Sequence, residues 1–116
     1  MIAKTVLAVL LMVQAIAFGG AKVLRIQPMR QRAAHVGMSV DEYSRIGVLE
    51  ILAAVGLAIG AVVPAIGVLA ACGLLVLLGG ALVTHLRAAD RLADLAPAMT
   101  VAALATAYIV VSVITS

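Results

Sequence analysis

The sequence predicts an all-α integral membrane protein: an antiparallel four-helix bundle with a short interfacial helix between its first and second spans. Three observations carry that expectation. Hydrophobic residues make up 66% of the 116-residue chain and charged residues only 11%, whereas roughly a quarter of a soluble domain is charged. The apolar residues fall into runs of about the 20 residues needed to cross a bilayer. The charged residues gather in two short connections that the topology places on one side. The length allows a single domain, 1–116, with spans expected at about 3–22, 43–63, 65–85 and 97–115.

The first span rests on the apolar run from Thr5 to Ala21. With Lys4 before it and small residues at Ala15 and Ala17, the run has the look of a signal peptide. It is also long enough, slightly extended, to cross a membrane, and it is read as a span. From Lys22 to Ser39 the character changes: Lys22, Arg25, Arg30, Arg32 and His35 alternate with apolar residues, punctuated by Pro28 and Gly37. Pro28 suits the start of a short helix and Gly37 its end. Met29, Ala33 and Val36 give that helix a weak apolar side, as expected for one lying at headgroup level.

Ser39 and Glu42 have the spacing of a capping box, and Met38 and Tyr43 that of a hydrophobic staple. The second helix is therefore expected from Val40 to Val63, its first turns in the interface. Gly56 and Gly60 form a GxxxG pair that lets a neighbouring helix approach. Pro64 marks a very short, uncharged turn, so the second and third spans should form a tight hairpin. Ala65–Val83 carries no charge and leads into Thr84, His85 and Arg87. After the charged stretch Arg87–Asp94, Pro97 is expected in the first turn of the fourth span. The hydroxyls of that span, on Thr100, Thr106, Tyr108 and Ser112, are tolerable in a membrane because they bond back to helix carbonyls.

Charge sets the expected orientation. Of the eight Lys and Arg residues, only Lys4 lies at the end away from the two charged loops. The positive-inside bias then places those loops in the cytoplasm and both termini outside. The net charge of +3 is explained by orientation, and no basic run interleaved with aromatics points to nucleic acid.

The residue that stands out is Glu50, a carboxylate inside an apolar segment, where it needs a partner, a proton or a purpose. Tyr43, Gly47, Glu50, Ala54 and Leu57 share a helix face, and small Gly47 and Ala54 leave room beside the carboxylate. Glu50 lies about 6 Å along the helix from Ile46, just below the cytoplasmic surface. Gln14, Phe18, Lys22 and Arg25 share a face of the first span, and Thr84 and His85 close the third. Lys22, Glu50 and His85 can thus converge at one depth. Glu50 and His85 are the expected acid–base pair, with Lys22, Arg45, Tyr43, Gln14 and Thr84 as ligand-binding groups. Purely structural readings compete: an ion pair of Glu50 with Lys22 or His85, and lipid anchoring by Lys22 and Arg45. Cys72, about 20 Å along the helix from His85, is read as structural and has no disulfide partner. His35 and His85 alone have no metal-site spacing, and no nucleotide, haem or serine-nucleophile motif is present.

The segments SRIGVLEILAAVGLAIG and GALVTHLRAAD, with FGGAK ending the first span, resemble the DoxX-like family of small four-span bacterial membrane proteins. The resemblance covers nearly the whole chain, with the Arg-rich Ile26–Gly37 connection outside it. It implies a bacterial cytoplasmic membrane. Better-known relatives are associated with a thiosulfate:quinone oxidoreductase subunit and with a mycobacterial membrane complex containing superoxide dismutase and a sulfurtransferase. Distant animal relatives act as assembly factors. Three functions follow as expectations. One is a site in the cytoplasmic leaflet for a lipophilic small molecule (a quinone, terpenoid or epoxide), with or without cofactor-independent isomerase, hydrolase or cyclase chemistry. Another is an accessory or quinone-binding subunit docking a membrane redox partner. The last is a structural or assembly protein packing against another membrane protein or a second copy of itself. A quinone is the one cofactor-like ligand expected, and no metal is.

Overall fold

The computed structural model describes residues 2–115; Met1 and Ser116, the ends of the expected domain, lie outside the described residues. The described residues form five helices and no strand: α1 (Ile2–Val23), α2 (Gln27–His35), α3 (Val40–Ile59), α4 (Pro64–Arg87) and α5 (Leu92–Ile114). Helix α1 packs on α3, α3 on α4, α4 on α5 and α5 back on α1, while α2 packs on α1 and α3. Three of the helices, α1, α4 and α5, are long and apolar enough to cross a membrane. Many of their apolar side chains point outward: Val13 is 62% exposed, Leu69 70% and Val76 76%. Water would make such a surface costly, whereas hydrocarbon does not.

The expected second span differs from the observed one. Helix α3 stops at Ile59, with Gly60 as its C-cap, rather than continuing to Val63. Pro64 opens α4 instead of merely closing a turn, because its fixed φ and missing N–H suit a first helical position. The residue before a proline is driven out of helical conformation, and Val63 is accordingly extended (φ −120°, ψ 90°). Pro97 likewise departs from expectation. Helix α5 begins at Leu92, leaving Pro97 inside the helix rather than in its first turn. The Asp94 carboxylate accepts from the Arg91 backbone N–H at 3.0 Å, which starts the helix earlier.

The start of α3 is as the sequence predicts. Ser39 Oγ accepts from the Glu42 N–H at 3.0 Å, and Glu42 Oε1 accepts from the Ser39 N–H at 3.1 Å. The bond from the Ser39 backbone N–H is the first cause that holds the Glu42 carboxyl below its usual range. At their other ends α1, α2 and α4 share one device. The residue after the C-cap is left-handed (Arg25 φ 56°, Gly37 φ 74°, Ala89 φ 58°). The following N–H then reaches back five residues: Ile26 to Ala21 O, Met38 to Ala33 O and Asp90 to His85 O. This is the Schellman arrangement, which usually selects glycine at the left-handed position, and Gly37 alone follows that preference.

The core lies toward the middle and the far end of the helices, around Leu11, Leu57, Ala71, Leu74 and Tyr108. Helices α1 and α3 cross at glycine. A Cβ on Gly19 would sit 2.8 Å from Gly47 O, and one on Gly47 would sit 2.6 Å from Gly19 O. The expected space beside Glu50 at Gly47 is therefore filled by the backbone of α1 and by Lys22. The GxxxG residues do admit a neighbour: Gly56 faces Ala70, and Gly60 faces Gly67 of α4.

Candidate functional site

A cavity of about 740 Å³ opens between the α1–α3 side and the α4–α5 side at the end carrying the charged loops. Helix α1 lines it with Gln14, Phe18 and Lys22, and α3 with Tyr43, Ile46 and Glu50. Gln14, Phe18 and Lys22 share the face expected of the first span, and Tyr43 and Glu50 that expected of the second, whereas Ile46 lies outside the expected set. Helix α4 supplies Leu74, Leu77, Ala81, Thr84 and His85, and α5 supplies Asp94, Pro97 and Val101. Helix α2 adds Arg32 and His35. One end of the cavity is thus polar, and the walls toward the core are apolar.

Glu50 is buried and paired with the Lys22 ammonium, the two side chains being 11% and 14% exposed. Lys22 Nζ also lies 5.0 Å from the centroid of the Tyr43 ring, a cation–π contact that holds the ammonium against the cavity wall. The Gly19–Gly47 crossing makes this pair: with no side chain on either glycine, the Lys22 stem packs over Gly47 and that of Glu50 over Gly19, so the two side chains meet across the crossing. Lys22 is three residues beyond Gly19, and Glu50 is three beyond Gly47. Of the two structural partners expected for Glu50, the fold selects Lys22.

His85 is engaged elsewhere. Its Nδ1 lies 2.5 Å from Asp90 Oδ2, and His35 Nε2 lies 2.6 Å from Asp90 Oδ1. The His85 and then the His35 hydrogen bonds hold the Asp90 carboxyl below its usual range. An ionised carboxylate only accepts, so each imidazole donates the proton on the nitrogen facing it. The neutral ring of His85 then carries its lone pair on Nε2, and that of His35 on Nδ1.

The remaining expected residues divide. Gln14, Tyr43 and Thr84 line the cavity, Thr84 with its hydroxyl donating to Ala81 O at 2.8 Å. Arg45 does not line it; it is exposed on the outside of α3, as its offset around the helix requires. Arg25 shares the first-span face only nominally, since it has left the helix to pair with Asp41 at 2.6 Å. Cys72 is exposed on α4, away from the site.

Two cavity residues escaped sequence reasoning as members of a cluster: Asp90 and His35. Asp90 follows His85 by five residues, a spacing that places the two apart on a continuing helix. The left-handed turn at Ala89 folds residue 90 back over residue 85, where a Schellman motif usually makes an apolar contact. A glycine at position 89 would have signalled that turn. Arg32, also on the cavity wall, lies 5.9 Å from the Phe18 ring centroid and pairs with no carboxylate among the described residues. No group of three or more His, Cys, Asp or Glu suited to a metal occurs among the described residues.

A family model for the DoxX-like family matches residues 6–109, a stretch that includes every residue lining the cavity. No curated protein and no solved structure matches the chain.

Proposed function

Because the chain belongs to the DoxX-like family, whose match spans residues 6–109, we propose that it is a four-span membrane protein whose cavity binds a lipophilic small molecule. In this reading α3 is the fourth membrane span. Its apolar stretch from Ile46 onward enters the hydrocarbon core, with Asp41, Glu42 and Arg45 of its first turns in the interface. The helices then alternate in direction as an antiparallel bundle. The charged loops face the cytoplasm by the positive-inside bias, with both termini opposite.

The observation that carries the proposal is the cavity itself. Its 740 Å³ falls within the range of small-molecule sites, which combine apolar walls with a few converging polar groups. Leu74, Leu77 and Val101 accommodate an apolar body, while Lys22, Arg32 and Gln14 can donate to an oxygen at its head. A quinone carbonyl, a terpenoid alcohol and an epoxide oxygen all meet that requirement. If a reaction follows binding, His85 is the group equipped to move a proton. Asp90 fixes its tautomer and orientation and stabilises the imidazolium that forms, leaving Nε2 to take or return the proton. Glu50 holds Lys22 in place as a donor to the oxygen on which charge develops. That assignment gives the two expected acid–base residues different tasks.

The test is recovery of the ligand. Wild-type protein and a Leu77→Trp variant, whose indole intrudes on the apolar part of the cavity, are extracted in mild detergent, and the lipophiles that co-purify are identified by mass spectrometry. A defined lipophile enriched over the bulk membrane in wild type and depleted in the variant is the expected result. Equal recovery from both, or no enrichment in either, would sink the proposal; stoichiometric recovery of a membrane protein instead would favour the subunit or assembly role.

A further inference from the structure

We propose that the His35–Asp90–His85 bridge is a releasable clasp across the mouth of the cavity, opening on the His35 side to pass ligand. The inference rests on reading the cavity as a ligand site, and it concerns how that site is closed. All three residues line the cavity at its loop end. Helix α2 rides on one wall: its neighbours are α1 and α3, and Met29 and Ala33 anchor it there, 5% and 1% exposed. It has no backbone-level contact with α4 or α5 among the described residues. The His35–Asp90 hydrogen bond is what ties it to the opposite wall.

The two arms of the bridge differ. The His85–Asp90 arm is local, built into the end of α4 by the left-handed turn at Ala89 and the Asp90 N–H to His85 O bond at 3.0 Å. The His35 arm joins residues 55 apart in the chain, and its imidazole is 55% exposed while the Asp90 side chain is 9% exposed. When the His35 arm lets go, the imidazole passes into water, and Asp90 keeps the hydrogen bond from His85. Neither partner is left as an unsatisfied buried group, which is the condition that makes breaking most buried polar contacts costly. Helix α2 is also bounded by left-handed residues at both ends, Arg25 and Gly37, so its orientation is set at two single-residue joints. A clasp with one fixed arm and one exposed arm is suited to repeated opening.

The test uses the full chain in lipid nanodiscs, with Cys72→Ser to remove the native thiol and Ala81→Cys to report from the cavity wall. The rate of reaction with a water-soluble maleimide measures opening. In that background His35→Ala is expected to raise the rate about three- to tenfold, the shift in an opening equilibrium from losing one partly exposed hydrogen bond to a carboxylate. His35→Gln, whose amide N–H can still donate to Asp90, is expected to stay near the parent rate. Asp90→Ala, which removes the acceptor of both arms, provides a second route to the raised rate should His35→Ala fold poorly. An unchanged rate in His35→Ala, or equal rises in His35→Ala and His35→Gln, would overturn the clasp. The co-purified lipophile is measured on the same preparations. A bound lipophile with an unchanged rate defeats the clasp alone, whereas absence of any lipophile from the parent protein defeats the site reading.

Discussion

Removing one member of the Lys22–Glu50 pair leaves the other charged in a place with little water, and the structure sets how much that should cost. Breaking a buried ion pair from one side typically costs 3–5 kcal/mol. Lys22 lies in the last turn of α1 with its side chain 14% exposed, which admits some solvent. Lys22→Met should therefore fall at the low end, about 3 kcal/mol. Glu50→Gln keeps an oxygen that accepts from the ammonium and loses only the charge, so about 1.5 kcal/mol is expected. The double variant has no charge to strand and should cost about 1.5 kcal/mol as well, giving a coupling of about 3 kcal/mol. Equilibrium unfolding of the four proteins in mixed micelles, followed by helical circular dichroism, measures the cycle. If the two single effects add to within about 0.5 kcal/mol, the pair contributes no coupling and the reasoning fails. The same four proteins separate architecture from binding. A double variant that is as stable as Glu50→Gln but no longer retains lipophile assigns the pair to the ligand; one that retains it assigns the pair to holding α1 on α3.

Neighbouring glycines of α1 should respond in opposite directions. Gly19→Ala places a Cβ 2.8 Å from Gly47 O and 3.1 Å from Glu50 Cβ and should destabilise by about 2 kcal/mol; Gly20→Ala meets nothing within 4 Å and should be neutral or stabilising by up to about 1 kcal/mol. The same micelle unfolding assay reads both, and equal responses would mean the helices do not cross there. The Asp90 carboxyl, held below its ordinary value of 3.8 by His85 and His35, should make itself felt only in acid. An acid depressed in the folded state binds its proton more readily when unfolded, so its stabilisation is complete above that ordinary value. It is lost as pH falls through the lower folded value. Melting temperature followed from pH 6 downward should show a smaller acid-induced loss in Asp90→Asn than in wild type, and identical slopes would remove Asp90 from the bridge.

Much of this site could be read along the chain because its parts are local. The Ser39–Glu42 cap, the short helix between Pro28 and Gly37, and the common faces of Gln14–Phe18–Lys22 and Tyr43–Glu50 each depend on a few neighbouring residues. Where reading failed, a local signal was absent or outweighed. Ala89 takes a conformation usually announced by glycine, so the fold of Asp90 onto His85 was hidden. The Asp94 cap outweighed the helix-breaking tendency of Pro97. The small residues beside Glu50 read equally well as room for a ligand or room for a helix, and α1 occupies that space.

The sequence by itself determined that the chain is helical and apolar, that its charges collect at one end, and that Glu50 cannot stand alone there. Those properties follow from composition and from the helical repeat, which dictates which side chains share a face. Only the tertiary structure decided that Glu50 meets Lys22, that His85 is held by Asp90 and through it joined to His35, and that Arg45 stays outside. A helical repeat leaves open which face meets which. That choice is made where backbones approach closely, at Gly19 against Gly47, and where a left-handed turn at Ala89 reverses the chain.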